Sequence, residues 1–191
     1  WWLARVVDAP AFLVVTRTVG FAIFAFSAMA AVLGQDRLTN PIFGICYVGW
    51  WVGLVPLSLL HGPAYEALSP VRTINAAFAE ISGTDPDKGV FTYPGRLGYW
   101  PAAIGLFAFV WLELVYPYST ELGPVRLWCA GYVAVMPVGG ALFGTSFYSR
   151  GDTFEVYSSP VGKLSGFGRR TVVGEGPEGR CEVVPRSPLA N

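Results

Sequence analysis

Four stretches of the chain stay apolar long enough to cross a bilayer, which takes about 20 residues at 1.5 Å of rise each. They cover residues 11–33, 41–60, 97–118 and 127–148. The second and fourth hold no charge, the first holds only Arg17 and the third only Glu113. In lipid every backbone N–H and C=O must be satisfied within the segment, and a spanning strand needs only about 9–11 residues. The pattern therefore predicts an all-α membrane protein with four transmembrane helices arranged as two hairpins.

Each hairpin is expected to be followed by a short amphipathic interfacial helix. Ser69-Pro70 reads as an N-cap with proline at the first helical position. Val71, Ile74, Phe78 and Ile81 follow at helical spacing, and Gly83 is a suitable stop. This predicts a surface helix over about 70–82, lying on the membrane. After the fourth span, Asp152 and Glu155 imitate a capping box, with Asp in the place usual for Ser or Thr. Phe154, Tyr157, Val161 and Leu164 give a second stripe, interrupted by Pro160. The domain expectation is a four-helix region over 1–150. An interfacial helix and an irregular Gly- and Pro-rich cytoplasmic tail occupy 151–191.

Charge adds orientation. The 191 residues are 53% hydrophobic and only 14% charged, with 13 basic and 13 acidic side chains and zero net charge. That balance gives no footprint for nucleic acid. The lipid bilayer is the expected partner, together with further transmembrane helices of the same chain or of a complex. Arg72, Lys88 and Arg96 sit in the middle connection, and Arg150, Lys163, Arg169, Arg170, Arg180 and Arg186 follow the last span. The short connections hold only Arg37 and Arg126. The positive-inside rule then places both termini of the segment in the cytoplasm. The abrupt start at Trp1 and the unpunctuated end at Asn191 suggest a fragment of a longer chain.

The second and fourth spans share features. Each starts near a proline and has a cysteine five residues on, Pro41 to Cys46 and Pro124 to Cys129. Each holds an interior proline, Pro56 or Pro137, and is followed by Ser-Pro-Val, at 69–71 or 159–161. Each also carries a GxxxG, Gly49 to Gly53 and Gly140 to Gly144, expected to be helix-packing contacts. A hairpin plus a surface helix, used twice in one orientation, would be a parallel repeat of the kind found in transporters.

Candidate chemistry is sparse. Glu113, the one intramembrane acid, and Arg126, across a short turn at similar depth, are expected to form a structural ion pair. Arg17 is expected to snorkel to the headgroups. His61, alone of its type, cannot build a His-rich metal site. With Asp152 and Glu155 it remains a possible functional residue. Three cysteines without CxxC spacing, Cys46, Cys129 and Cys181, read as free thiols. No phosphate-binding loop, GxSxG or HExxH is present. No catalytic, metal or cofactor-binding residue is assigned, and no cofactor is expected.

Three stretches carry a resemblance. They are Ser69-Pro70-Val71-Arg72-Thr73-Ile74, the run from Leu97-Gly98-Tyr99-Trp100-Pro101 to Trp111-Leu112-Glu113-Leu114, and Gly151-Asp152-Thr153-Phe154-Glu155-Val156-Tyr157-Ser158. With Arg186-Ser187-Pro188-Leu189 they resemble a group of uncharacterised bacterial polytopic membrane proteins labelled fenitrothion hydrolase. The resemblance implies a longer chain in a bacterial plasma membrane and, by its label, hydrolysis of a phosphotriester. Such hydrolysis usually runs on metal-activated water held by His and carboxylate clusters, and this segment has one His and no cluster. The first expectation is thus a non-enzymatic, transporter-like or scaffold subunit. A membrane-bound phosphotriester hydrolase is the alternative.

Overall fold

The structure, a computed structural model, describes residues 9–165, 167–172 and 180–185, except for the side chains of Pro10, His61 and the residues from 167 on. Four helices are long and apolar enough to cross a membrane. The first is α1 (Pro10–Leu33). The second is composite: α2 (Pro41–Phe43), a π-helical stretch π1 (Gly44–Gly53) and α3 (Leu54–His61). The third runs from a 3-10 turn (Gly95–Leu97) into α6 (Trp100–Leu114), covering Gly95–Leu114, and the fourth is α7 (Leu122–Phe143). Large apolar side chains along α1, among them Val14, Val15, Phe26, Met29 and Val32, are exposed. So extensive an apolar surface suits lipid or further helices, not water.

The third and fourth spans end earlier than the sequence pattern predicts. α6 stops at Leu114, ahead of Pro117. α7 starts at Leu122, whose N–H donates to Asp36 Oδ1 at 2.8 Å. Pro124 is tolerated there because first-turn N–H groups lack intrahelical partners anyway. α7 ends at Gly144, whose φ of 65° suits glycine alone among ordinary residues. Its last carbonyls, Ala141 and Leu142, accept from the N–H groups of Val90 and Phe91.

Two pairs of short helices follow the even-numbered spans. α4 (Ala64–Leu68) and α5 (Pro70–Ser82) break at Ser69. α8 (Thr145–Gly151) and α9 (Thr153–Lys163) break at Asp152. The expected caps of α5 are present: Ser69 Oγ accepts from Arg72 N–H at 3.4 Å, Pro70 opens the helix, and Gly83 closes it left-handed.

Both pairs pack against the long helices. The backbone of Leu68 lies against Gly20, near the middle of α1, where even a methyl group would clash. Thr153 lies against Gly105 of α6 in the same manner. Phe154 packs edge-on to Phe109, Trp128 and Tyr132, deep among the spans. Gly162, at the other end of α9, meets Gly62 and Pro63. Both pairs thus dip in from one end of the bundle and return to it. The stripe of α5 is buried at Val71, while Phe78 and Ile81 stay exposed.

The tail is not wholly irregular. β1 (Phe167–Val172) and β2 (Arg180–Pro185) pair antiparallel, Phe167 opposite Pro185 and Val172 opposite Arg180.

Candidate functional site

The breaks at Ser69 and Asp152 sit side by side among the spans. Arg72 is the third residue of α5 and Glu155 the third of α9. Arg72 Nε and Nη2 donate to Glu155 Oε2 and Oε1 at 2.7 and 2.6 Å, a two-bonded ion pair that is largely buried. A cation near a helix N-terminus opposes the helix dipole and an anion there is favoured, so the pair offsets the cost on the α5 side. The Arg72 guanidinium also lies 5.3 Å from the centre of the Tyr148 ring. Burial works against the Arg72 cation, but Glu155 outweighs it and holds the guanidinium above its ordinary value.

Asp152 adds a second acid and is fully buried. It N-caps α9, accepting the Phe154 N–H on Oδ1 at 3.0 Å. The same oxygen accepts from the Tyr132 hydroxyl, at the middle of α7, at 2.8 Å. Tyr132 in turn shares a 2.7 Å hydrogen bond with the Tyr65 hydroxyl of α4. Asp152 Oδ2 has no hydrogen-bond partner, and neither does the buried hydroxyl of Tyr148. Burial, aided by the neighbouring Glu155 and opposed by the Tyr132 hydrogen bond, pushes the Asp152 carboxyl up to about 7. Burial and the Asp152 charge hold the Tyr65 and Tyr148 hydroxyls above their usual range. Close by, Ser58 and Ser158 share a 3.0 Å hydrogen bond, and Ser158 Oγ accepts from Tyr65 N–H at 3.4 Å.

These contacts share one sequence spacing. Arg72 and Glu155 are 83 residues apart, as are Cys46 and Cys129, whose sulfurs lie 3.8 Å apart. The same spacing relates Pro41 to Pro124, Tyr65 to Tyr148 and Ser69 to Asp152. Equivalent residues can touch each other only near a two-fold axis. Two of these equally spaced pairs, Cys46 with Cys129 and Arg72 with Glu155, are in direct contact, as a two-fold relation between the halves would require. The Ser-Pro-Val match does not mark equivalent points. Ser69 opens α5, whereas Ser159-Pro160-Val161 lies within α9.

The expected site residues divide. Asp152 and Glu155 belong to this centre, but not as a capping box: Asp152 N–H donates to Tyr148 O, and the Glu155 carboxylate is taken by Arg72. His61 closes α3, and its side chain lies outside the described residues. Glu113 and Arg126 do not pair. Arg126 donates to the carbonyls of Ala31, Val32 and Gly34, and Glu113 Oε2 is buried without a partner. Arg126 shares a helix face with Leu122 and Val125, which pack against the end of α1. There the free C-terminal carbonyls attract a cation.

The glycine pairs also differ from expectation. Nothing from another helix approaches Gly49 or Gly53; Gly49 faces a groove lined by Ala22, Ile23 and Phe26. Gly140 does allow close approach, but of Tyr148 and Asn75, and Gly144 admits the backbone of residues 87–89. The contacts are with α5, α8 and the connection after α5, not between spans.

Sequence reasoning missed Arg72, Tyr65, Tyr132 and Tyr148. Opposite charges three residues after matching helix starts, at the same 83-residue spacing as the cysteines, were the available signal. Among the described residues no three His, Cys, Asp or Glu side chains group as a metal site. No family model, curated protein or solved structure matches the chain, so its own geometry carries the assignment.

Proposed function

We propose that this chain is a transport protein of the membrane that handles protons at Asp152. The observation that carries it is the fully buried carboxylate whose Oδ2 has no partner, placed where two re-entrant helices begin. Transporters commonly build sites at the interface of internal repeats, from broken helices whose N-termini point inward. An intramembrane acid is costly and is kept where charge must move. A carboxyl poised near neutrality can bind and release a proton at ordinary pH, and the Tyr132 and Tyr65 hydroxyls extend a hydrogen-bonded path from it. The end of the bundle that carries Lys88, Arg96 and Arg150 faces the cytoplasm in this proposal, by the positive-inside rule.

The test is proton movement in vesicles reconstituted with the full chain and loaded with a pH-sensitive dye. An imposed pH gradient should decay faster than in protein-free vesicles, and Asp152→Asn should abolish the difference. Wild-type vesicles no leakier than empty ones, or a variant as fast as wild type, would overturn the proposal.

A further inference from the structure

We infer that Cys46 and Cys129 are a redox pair that a disulfide oxidant closes into a bond between the two halves of the molecule. Their sulfurs lie 3.8 Å apart, on π1 and α7, and both thiols are free. A disulfide is about 2.05 Å long, so closure needs a relative shift of under about 2 Å. Side-chain rotation supplies much of it. Their surroundings hold both backbones close: Ile42, Phe43, Leu122 and Val125 pack around Cys46 as one buried cluster, with Cys129 against its edge. Tyr47, packed against the same cluster, donates its hydroxyl to Ser119 O at 2.9 Å. The two cysteines are 83 residues apart, the spacing that also separates the paired Arg72 and Glu155.

The chemistry balances with a small disulfide as oxidant. Cys129, only half-buried, is the thiol open to attack. Its thiolate displaces one thiol from the oxidant and forms a mixed disulfide. The Cys46 thiolate then attacks the Cys129 sulfur and displaces the second thiol. One S–S bond is broken and one is formed; the two protons leave on the released thiols, and the oxidant gains the two electrons the protein loses. The product joins the second span to the fourth, the two that feed the re-entrant helices. It stands whether or not the protein moves protons.

The test uses the full chain in detergent, treated with 2,2′-dithiodipyridine, a membrane-permeant aromatic disulfide. In Cys181→Ser, which lacks the third thiol, the intact mass should fall by two hydrogens, dithiothreitol should reverse the change, and peptide mapping should join residues 46 and 129. Cys46→Ser should leave a stable pyridylthio adduct on Cys129, and Cys129→Ser should leave the buried Cys46 as a free thiol. Cys181→Ser should close as the wild type does. Stable adducts on both Cys46 and Cys129 of the wild type would overturn the inference. So would unreactive thiols at both positions, or a bond that includes Cys181.

Discussion

Removing the Arg72–Glu155 pair one side at a time tests the charge centre directly. Both side chains are largely buried, at 15% and 5% relative exposure, and share two short hydrogen bonds. Leaving one charge of such a pair uncompensated costs about 3–5 kcal/mol, whereas replacing both with apolar groups of similar volume is often neutral. The two single losses should not be equal. Arg72→Met strands Glu155 beside Asp152, with both acids lacking their cation. Glu155→Gln leaves Arg72 facing Asp152, whose charge also favours the guanidinium. Arg72→Met should therefore sit at about 5 kcal/mol or above and Glu155→Gln at about 3 or below. Arg72→Met/Glu155→Leu should recover most of the loss, giving a coupling of about 3 kcal/mol or more. Each residue is third in its helix, so the exchange Arg72→Glu/Glu155→Arg presents opposite charges in a similar frame. It should be milder than Arg72→Met alone. Unfolding free energies would be read by denaturing-detergent titration in mixed micelles at one pH. Additive single losses, or an exchange as harmful as Arg72→Met, would show that the pair does not hold α5 to α9.

Asp152 predicts a pH dependence. Its carboxyl lies at about 7 in the folded chain against 3.8 in the reference state, so between those values the folded form binds the proton more tightly. The contribution is fully present below about pH 4 and lost as pH rises through about 7. At about 1.4 kcal/mol per unit it amounts to about 4 kcal/mol. Unfolding titrations at pH 5 and pH 8, which bracket about two units of that range, should differ by about 3 kcal/mol in the wild type and not in Asp152→Asn; an equal slope in both would refute it. Arg126→Gln should cost about 1–2 kcal/mol, because the last carbonyls of α1 lose a charged donor. Glu113→Gln should add no coupling to it. Non-additive losses in that double variant, read in the same titration, would restore the ion pair that the structure lacks.

The four spans, the Ser69-Pro70 start, the Gly83 stop and the Asp152 cap were legible in the sequence. Each rests on local physics: bilayer length, the donors left free at helix starts, and the left-handed backbone of glycine. The repeat was partly legible, through Pro41–Cys46 and Pro124–Cys129. The tertiary structure alone decided how deep α5 and α9 lie. An apolar stripe reports one buried face, and lipid headgroups or neighbouring helices satisfy it equally well. Long side chains were ambiguous for the same reason. Arg126 could reach a carboxylate or a helix end, and helix phase turned it toward α1. Arg72 looked like a cytoplasmic charge until the chain folded back and set it against Glu155. A contact between residues 83 positions apart is fixed by the packing of the two halves on each other, which no window of local sequence contains.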